Sequence, residues 1–162
     1  MTTRAHVITV SDGVSAGKRV DKSGPALRDL LAKSDFEVSA PEVVPDKVER
    51  ITDAIVAAVV AGFDLVVTTG GTGLGPRDVT PQATSMLIDY QVPGLGELMR
   101  SAGMAKTPMA VLSRGLAGVR GQSLILNVPG SIKGATESLE AVLPVLGHAV
   151  QLLHGHTRHD VR

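Results

Sequence analysis

Short apolar runs recur along the chain at intervals that suit the strands of one sheet. The runs at 7–10, 65–69 and 122–128 are rich in Val, Ile and Leu, which is typical of strands buried on both faces. A further extended run at 36–44 is interrupted by Pro41, which predicts an edge strand or a bulge there. The run at 110–112 predicts one more short strand.

Longer stretches between these runs carry their apolar residues at helical spacing. They predict helices from Ser23 as N-cap, over 48–61, 81–90 and 95–105, and after residue 131. Strands and helices therefore alternate, without internal repeats. This order predicts one α/β domain over residues 1–162, with three α/β/α layers around a mostly parallel central sheet.

Composition narrows the classes of function. Hydrophobic residues make up 43% of the chain and aromatic residues only 2%, so the core must consist of aliphatic side chains. Sixteen basic and sixteen acidic residues balance, which gives no indication of a nucleic acid or membrane partner. Cysteine is absent, so disulfides and thiolate chemistry are excluded. The start of the chain lacks a long apolar segment, and we expect a cytoplasmic protein.

The run at 65–69 leads into a glycine-rich loop, Gly70-Gly-Thr-Gly-Leu-Gly-Pro-Arg-Asp78, followed by Thr80 as N-cap and Pro81. Glycines let backbone N–H groups approach an anion closely, so the pattern predicts a phosphate-binding loop. It lacks the Gly-Lys-Ser/Thr ending of a Walker loop and the third glycine of a dinucleotide fingerprint. The loop therefore belongs to another class.

Asp78 adds chemistry to this loop. A carboxylate beside phosphates is repulsive unless a divalent cation such as Mg²⁺ lies between them. The alternative interpretation of this segment is that the glycines form only a tight turn and that Asp78 is an exposed acidic residue near the start of a helix.

Because parallel strands end at one edge of a sheet, the loops at Ser11, Asp46, Gly70, Ser113 and Asn127 are expected along one rim.

Four segments in this order resemble the Mog/MoaB family of molybdenum-cofactor biosynthesis, which also occurs as a domain of gephyrin. The likeness spans nearly the whole chain. The segments are Thr9-Val-Ser-Asp with Asp21-Lys-Ser-Gly-Pro, Val44-Pro-Asp, Thr68-Thr-Gly-Gly-Thr-Gly-Leu-Gly-Pro-Arg-Asp-Val-Thr-Pro, and Leu112-Ser-Arg-Gly with Leu124-Ile-Leu-Asn-Val-Pro-Gly-Ser.

The resemblance implies a molybdopterin adenylyltransferase, which transfers AMP from Mg²⁺-ATP to the terminal phosphate of molybdopterin and releases pyrophosphate. It implies that Asp46 and Asp78 are the catalytic residues and the metal ligands. Asp46 has a second interpretation, because with Glu49 three residues later it resembles a helix N-cap and capping box. The two roles are compatible.

The resemblance also implies a set of residues that bind the nucleotide or the pterin. Gly70, Gly71, Thr72 and Gly73 match the nucleotide-cradling loop, and Arg77 and Arg114 offer planar forks to phosphates. Ser131 has an alternative role as N-cap of the last helix. The remaining matches to the pocket are Ser11, Asp12, Ser113, Asn127, Pro129, Gly130 and Ser131.

Two other functions stay open at this point. One is a MoaB-like protein that binds molybdopterin without turnover, and the other is a scaffold or interaction module. Retention of both Asp46 and Asp78 favours activity. The resemblance further implies a homotrimer, and a molybdenum-insertion protein is a candidate partner.

Three histidines, at 154, 156 and 159, crowd the C-terminal segment. They are a loose candidate for a transition-metal site, but a glycine and a chain end give no rigid ligand geometry. A frayed polar tail is the simpler interpretation.

Overall fold

A computed structural model describes residues 2–157. Seven strands form one sheet: β1 Thr3–Val10, β2 Phe36–Val38, β3 Glu42–Val44, β4 Leu65–Thr69, β5 Tyr90–Gln91, β6 Ala117–Arg120 and β7 Ser123–Val128. Their order is β2-β1-β4-β7-β6-β5, with β3 beside β1. β1 to β4 and β7 run parallel, while β6 pairs antiparallel with both β7 and β5.

Helices cover both faces of this sheet, which confirms the predicted three-layer α/β/α fold. On one face the core includes side chains of α2, α5 and α6, and on the other it includes those of α3 and α4. The helices are α1 Asp12–Ser15, α2 Ser23–Ala32, α3 Val48–Val60, α4 Thr80–Ser85, α5 Pro93–Met104 and α6 Ile132–Leu153, with a 3₁₀ helix at Pro108–Leu112. Within residues 2–157, no helix is both long and apolar enough to cross a membrane.

The centre of the sheet is β4, between β1 and β7. All five of its residues are buried, and Val67 pairs with Val7 on one side and Leu126 on the other. β-branched residues suit such a two-sided environment. The interruption predicted at Pro41 separates β2 from β3, which both lie beside β1. The carboxyl ends of β1, β3, β4 and β7 therefore meet at one edge.

The prediction of a strand at 110–112 is wrong. These residues belong to the 3₁₀ helix, in which the Thr107 hydroxyl accepts the Met109 N–H at 3.3 Å and Pro108 fixes the first backbone angle. A run of three apolar residues is too short for periodicity to separate helix from strand. On the side of β7 away from β4, the neighbouring strand is β6, which the apolar pattern did not predict.

The helix predicted at 81–90 is too long, because α4 ends at Ser85 and Tyr90 pairs with Val119 of β6. Two predicted caps are also wrong. Val79 rather than Thr80 is the N-cap of α4, and Ser23 is already the first residue of α2. Asp21 accepts the Gly24 N–H at 3.0 Å and takes over the capping of α2.

Candidate functional site

The glycine loop begins where β4 ends and takes its path from two residues with positive φ. Gly70 has φ of 105° and Gly71 has φ of 68°, a region that side chains rarely adopt. A side chain on Gly70 would collide with the carbonyl oxygen of Val10. One on Gly71 would meet the Thr80 hydroxyl and lie 3.2 Å from Asp46 Oδ1. Glycine is therefore required at both positions, by the positive φ and by the lack of space for a side chain. The resulting path of the loop places Gly71 close to Asp46.

Hydrogen bonds close this loop onto the start of α4. The Thr80 hydroxyl donates to the Gly70 carbonyl at 2.9 Å, and the Thr80 N–H donates to the Gly71 carbonyl at 3.1 Å. Further along, Asp78 Oδ2 accepts the Gly75 N–H at 2.9 Å. Asp78 is half-buried rather than exposed. One oxygen of this carboxylate thus fixes its orientation while the residue lines both cavities described below.

Asp46 does not cap α3, so the capping interpretation is wrong. Lys47 is the N-cap and makes no side-chain capping bond. Instead Asp46 Oδ2 accepts the Asp12 N–H at 2.7 Å, and Asp12 Oδ1 accepts the Asp46 N–H at 3.0 Å. This reciprocal pair joins the start of α1, just after β1, to the loop that follows β3. It holds the Asp46 carboxylate at the edge of the sheet.

The pKa values of the two carboxyl groups in this pair are shifted in opposite directions. Burial, together with the neighbouring carboxylates of Asp12 and Asp78, raises the pKa of Asp46. The backbone N–H of Asp46 and the guanidinium of Arg77 lower the pKa of Asp12. Negative charge is therefore concentrated around Asp46, which makes the position favourable for a cation.

Arg77 is the counter-ion of Asp12. Its Nε donates to Asp12 Oδ2 at 3.0 Å and its Nη2 donates to Asp12 Oδ1 at 3.2 Å, a bidentate arrangement across the cleft. Both side chains are largely exposed. Arg77 therefore lies at the site, paired with a carboxylate rather than free.

A cavity of about 770 Å³ opens between the glycine loop and the loop after β1. Ser11, Asp46, Gly70 and Gly71 lie in its wall, as the single-rim prediction requires. Ser11 also caps α1 by accepting the Val14 N–H at 3.2 Å. Polar or charged residues outside the predicted binding set also line this wall, among them Thr9, Arg19, Asp21, Lys22 and Ser23.

A second cavity, of about 460 Å³, lies on the other side of the loop. Thr72, Gly73 and Ser113 are among its lining residues, and Ser113 enters from the end of the 3₁₀ helix rather than from a strand. Its wall also contains a group of residues that motif reasoning missed, because they lie on α5, α6 and the 3₁₀ segment outside the motifs: Met99, Arg100, Thr107, Met109, Glu137 and Ser138.

The two cavities share part of their walls. Gly71, Asp78, Gly130 and Ser131 line both. Pro129 lines the smaller cavity, and its carbonyl accepts the Thr69 hydroxyl at 2.7 Å. The ends of β4 and β7 are thereby tied together where the cavities meet. Two ligands bound in the two cavities would approach each other at Asp78.

Three predicted binding residues have structural partners. The Asn127 amide lines the smaller cavity but donates to the hydroxyls of Thr68 and Thr84 at 2.9 and 3.0 Å. The Ser131 hydroxyl accepts the Gly134 N–H at 3.1 Å, so it caps α6. Arg114 donates to loop carbonyls, which differs from the expected free fork for phosphate.

The described histidines do not form a metal site. Within residues 2–157 no group of three or more His, Cys, Asp or Glu side chains is arranged to hold a metal ion. His154 is bonded to Asp64 Oδ1 at 2.8 Å. His159 lies outside the described residues.

Known proteins share this fold and this sequence pattern. The model of the family described as "Probable molybdopterin binding domain" matches residues 6–148. Gephyrin from Dictyostelium discoideum is 39% identical over 158 residues, covering 91% of this chain and 22% of gephyrin. Molybdopterin adenylyltransferase from Helicobacter pylori strain J99 is 40% identical, covering 95% of this chain and 89% of that protein. This chain thus spans about a fifth of gephyrin but most of the bacterial enzyme.

A solved structure agrees with these matches. The molybdopterin biosynthesis enzyme MoaB from Thermus thermophilus superimposes with a TM-score of 0.89 at 56% identity. The alignment covers 94% of this chain and 97% of that one. Fold and sequence therefore agree over the segment that carries both cavities.

Proposed function

The chain belongs to the family of probable molybdopterin binding domains, and on that basis we propose that it is a molybdopterin adenylyltransferase. It transfers AMP from Mg²⁺-ATP to the terminal phosphate of molybdopterin and releases pyrophosphate. The observation that carries the proposal is the meeting of two cavities at Asp78 and the glycine loop. A bisubstrate reaction between two anions requires such a junction.

The chemistry needs placement and charge control more than a protein nucleophile. An oxygen of the molybdopterin phosphate attacks the α-phosphorus of ATP. The new P–O bond forms as the bond to the β-phosphate breaks, and pyrophosphate leaves with the electron pair. Holding the two phosphates in line and neutralising their charge supplies most of the rate. The proposed cradle for the triphosphate is Gly70 to Gly73, in which Gly70 and Gly71 have positive φ and leave no room for a side chain of their own.

Mg²⁺ fits the residues at the junction. This cation keeps several waters and typically takes one or two carboxylates plus substrate phosphates, so a full cage of protein ligands is not needed. Burial, and then the charges of Asp12 and Asp78, raise the pKa of Asp46, and the grouped carboxylates favour a cation at Asp46 and Asp78. When bound, Mg²⁺ neutralises the triphosphate and the leaving pyrophosphate. The reciprocal bonds of Asp12 hold the Asp46 carboxylate in place for it.

We assign the two substrates to the cavities from a difference between the cavity walls. The larger cavity, beside the glycine loop, has Arg19 and Lys22 in its wall together with three carboxylates, those of Asp21, Asp46 and Asp78. Basic groups beside carboxylates suit a triphosphate that carries a divalent cation. The smaller cavity has Met99, Met109 and Leu112 in its wall, together with Ser113. Apolar surfaces with a few polar groups suit a flat heterocycle, so this cavity is proposed for the pterin.

The setting of the reaction is part of the same proposal. The motif resemblance supports a homotrimer that acts in the cytoplasm and passes its product to a molybdenum-insertion protein. Large apolar side chains outside the cavities are exposed and available for contacts between subunits, among them Met104 and Val111.

A pyrophosphate assay tests the proposal. The protein is mixed with ATP, Mg²⁺ and molybdopterin, and pyrophosphate is measured with a coupled enzyme. We expect release only when all three are present, and its loss when Mg²⁺ is chelated. If calorimetry shows that both substrates bind but no pyrophosphate is released, the chain is a pterin-binding protein instead.

A further inference from the structure

The side chain of Arg114 lies against the glycine loop rather than in open solvent. Its Nε donates to the Gly73 carbonyl at 2.9 Å, and its Nη2 donates to the Asp78 carbonyl at 2.8 Å. Nη1 donates to Gln82 Oε1 at 3.1 Å, and the backbone N–H of Arg114 donates to the Thr72 carbonyl at 2.9 Å. One residue therefore contacts the loop at both ends and the helix that follows it.

The loop segment from Gly73 to Val79 has little regular structure of its own. It contains no residue of a helix or a strand, and its internal contacts include the pair of bonds between Gly75 and Asp78. Loops with few bonds open easily. A guanidinium is a rigid planar group with five N–H donors, and it can bridge two carbonyls that a flexible ammonium cannot hold together. Arg114 supplies the rigidity that the segment lacks.

The same residue also borders the other cavity. Ser113 and Gly115, its neighbours in the chain, both line the smaller cavity. The segment 113–115 is held by α5, because Arg100 Nη1 on that helix donates to the Gly115 carbonyl at 2.7 Å. Arg114 thus extends from a fixed segment of one cavity to the loop that carries Asp78.

We propose that Arg114 is a positioning residue that holds the loop 73–78 so that the Asp78 carboxylate faces Mg²⁺-ATP, and that it is not itself a phosphate ligand. This inference rests on the proposed function. Nε, Nη1 and Nη2 of Arg114 each already donate a hydrogen bond to an oxygen atom of the protein. Its loss therefore changes how well Asp78 serves the metal before it changes contacts with the nucleotide.

Arg114→Met tests the role, because methionine keeps the apolar stem and removes every side-chain donor, while the backbone bond to Thr72 remains. Arg120→Met is the matched control, since Arg120 Nη1 also donates to a backbone carbonyl, that of Leu87 at 2.8 Å, and lines neither cavity. We expect Arg114→Met to raise the Mg²⁺ concentration for half-maximal activity at least about tenfold and to lower kcat by a similar factor. Arg114→Lys should recover part of both, and Arg120→Met should change neither.

Amide hydrogen exchange, measured without substrate or metal, gives a second readout that does not depend on turnover. Exchange at Gly75 and Asp78 should accelerate in Arg114→Met and stay unchanged in Arg120→Met. Unchanged exchange together with an unchanged Mg²⁺ requirement would overturn the proposal. A raised KM for ATP with unchanged exchange would also overturn it, because that result identifies a direct phosphate ligand. If the wild type lacks transferase activity, the exchange result still decides whether Arg114 holds the loop.

Discussion

Asp12 and Asp46 form two reciprocal hydrogen bonds, in which the backbone N–H of each residue donates to the carboxylate of the other, at 2.7 and 3.0 Å. The two residues lie 34 positions apart in the chain: Asp12 is the first residue of α1, which follows β1, and Asp46 lies in the loop after the neighbouring strand β3. Each carboxylate is thus oriented by the backbone of the other residue. The pair fixes the Asp46 carboxylate near Asp78 despite the repulsion between their charges.

Burial and that repulsion both disfavour the charged form of Asp46, which leads to a prediction for the stability of the Asp46→Asn variant. An asparagine oxygen still accepts the Asp12 N–H, while the half-buried negative charge is removed. The pKa of Asp46 is raised in the folded protein, so the ionised carboxylate lowers stability at neutral pH. We expect Asp46→Asn to raise Tm by about 1–2 °C at pH 7, because solvent screening keeps the effect small.

The difference between the two proteins should depend on pH. As pH falls through the raised folded pKa of Asp46 and then below the ordinary aspartate value of 3.8, the carboxyl becomes neutral in both states and the advantage of asparagine disappears. Thermal melts of both proteins from neutral pH down to about pH 3.5 measure this. A variant less stable than wild type at neutral pH would show that the carboxylate is needed for the fold.

Asp78→Asn should separate chemistry from folding. The asparagine oxygen can still accept the Gly75 N–H, so the loop keeps its turn and the melting temperature changes little. Without the negative charge, the proposed hold on Mg²⁺ is lost, and kcat should fall at least about a hundredfold. Steady-state kinetics at saturating Mg²⁺ provide the measurement. Activity at the wild-type rate would remove Asp78 from the metal site.

The assignment of the cavities can be tested with one variant in each wall. Ala110 lines the smaller cavity and Lys22 the larger one, and neither takes part in the contacts around Asp46. Ala110→Phe fills space and should weaken molybdopterin binding about tenfold or more, with little effect on ATP. Lys22→Gln removes a charge and should weaken ATP binding by a few-fold. Calorimetric titration of each ligand shows the pattern, and a reversed pattern would exchange the two assignments.

Position 71 is unsuitable for this purpose. A valine at Gly71 would meet the Thr80 hydroxyl and approach Asp46, at a φ that side chains rarely adopt. Such a variant is expected to perturb the loop, both cavity walls and the fold together. Loss of ATP binding in it would carry no information about where the nucleotide lies.

The proposed trimer predicts a mass in solution three times the 16.8 kDa of the chain. Sedimentation velocity at micromolar concentrations measures it. Charged substitution of exposed apolar residues such as Val111 and Met104 should shift the distribution toward monomer if they lie between subunits. A monomer at all concentrations would contradict the proposed assembly and leave the cavities unaffected.

The sequence predicts the layers and the rim well, because both depend on local patterns. The runs that form β4 and β7 are apolar for most of their length, and the exits of parallel strands must share an edge. The caps are predicted less well. Asp46 has the residue type of a cap, but a partner 34 positions away competes for its carboxylate. A local pattern cannot contain that contact.

Arg114 illustrates the same limit. From its neighbours in the sequence, an arginine near a phosphate site is expected to bind phosphate. Its donors instead reach the carbonyls of Gly73 and Asp78, which lie 41 and 36 positions earlier in the chain. The residues of the smaller cavity on α5 and α6 escape motif reasoning for a related cause, since only the tertiary fold brings these helices to the loop.

Transfer of the α-phosphate of ATP tests the central claim most directly. ATP labelled at the α-phosphate is incubated with the protein, Mg²⁺ and molybdopterin, and the pterin product is isolated and weighed by mass spectrometry. We predict a labelled product that is heavier than molybdopterin by one adenylyl group, formed in equal amount with pyrophosphate and absent with Asp78→Asn. Bound but unmodified molybdopterin, with the label remaining in ATP, would contradict the account.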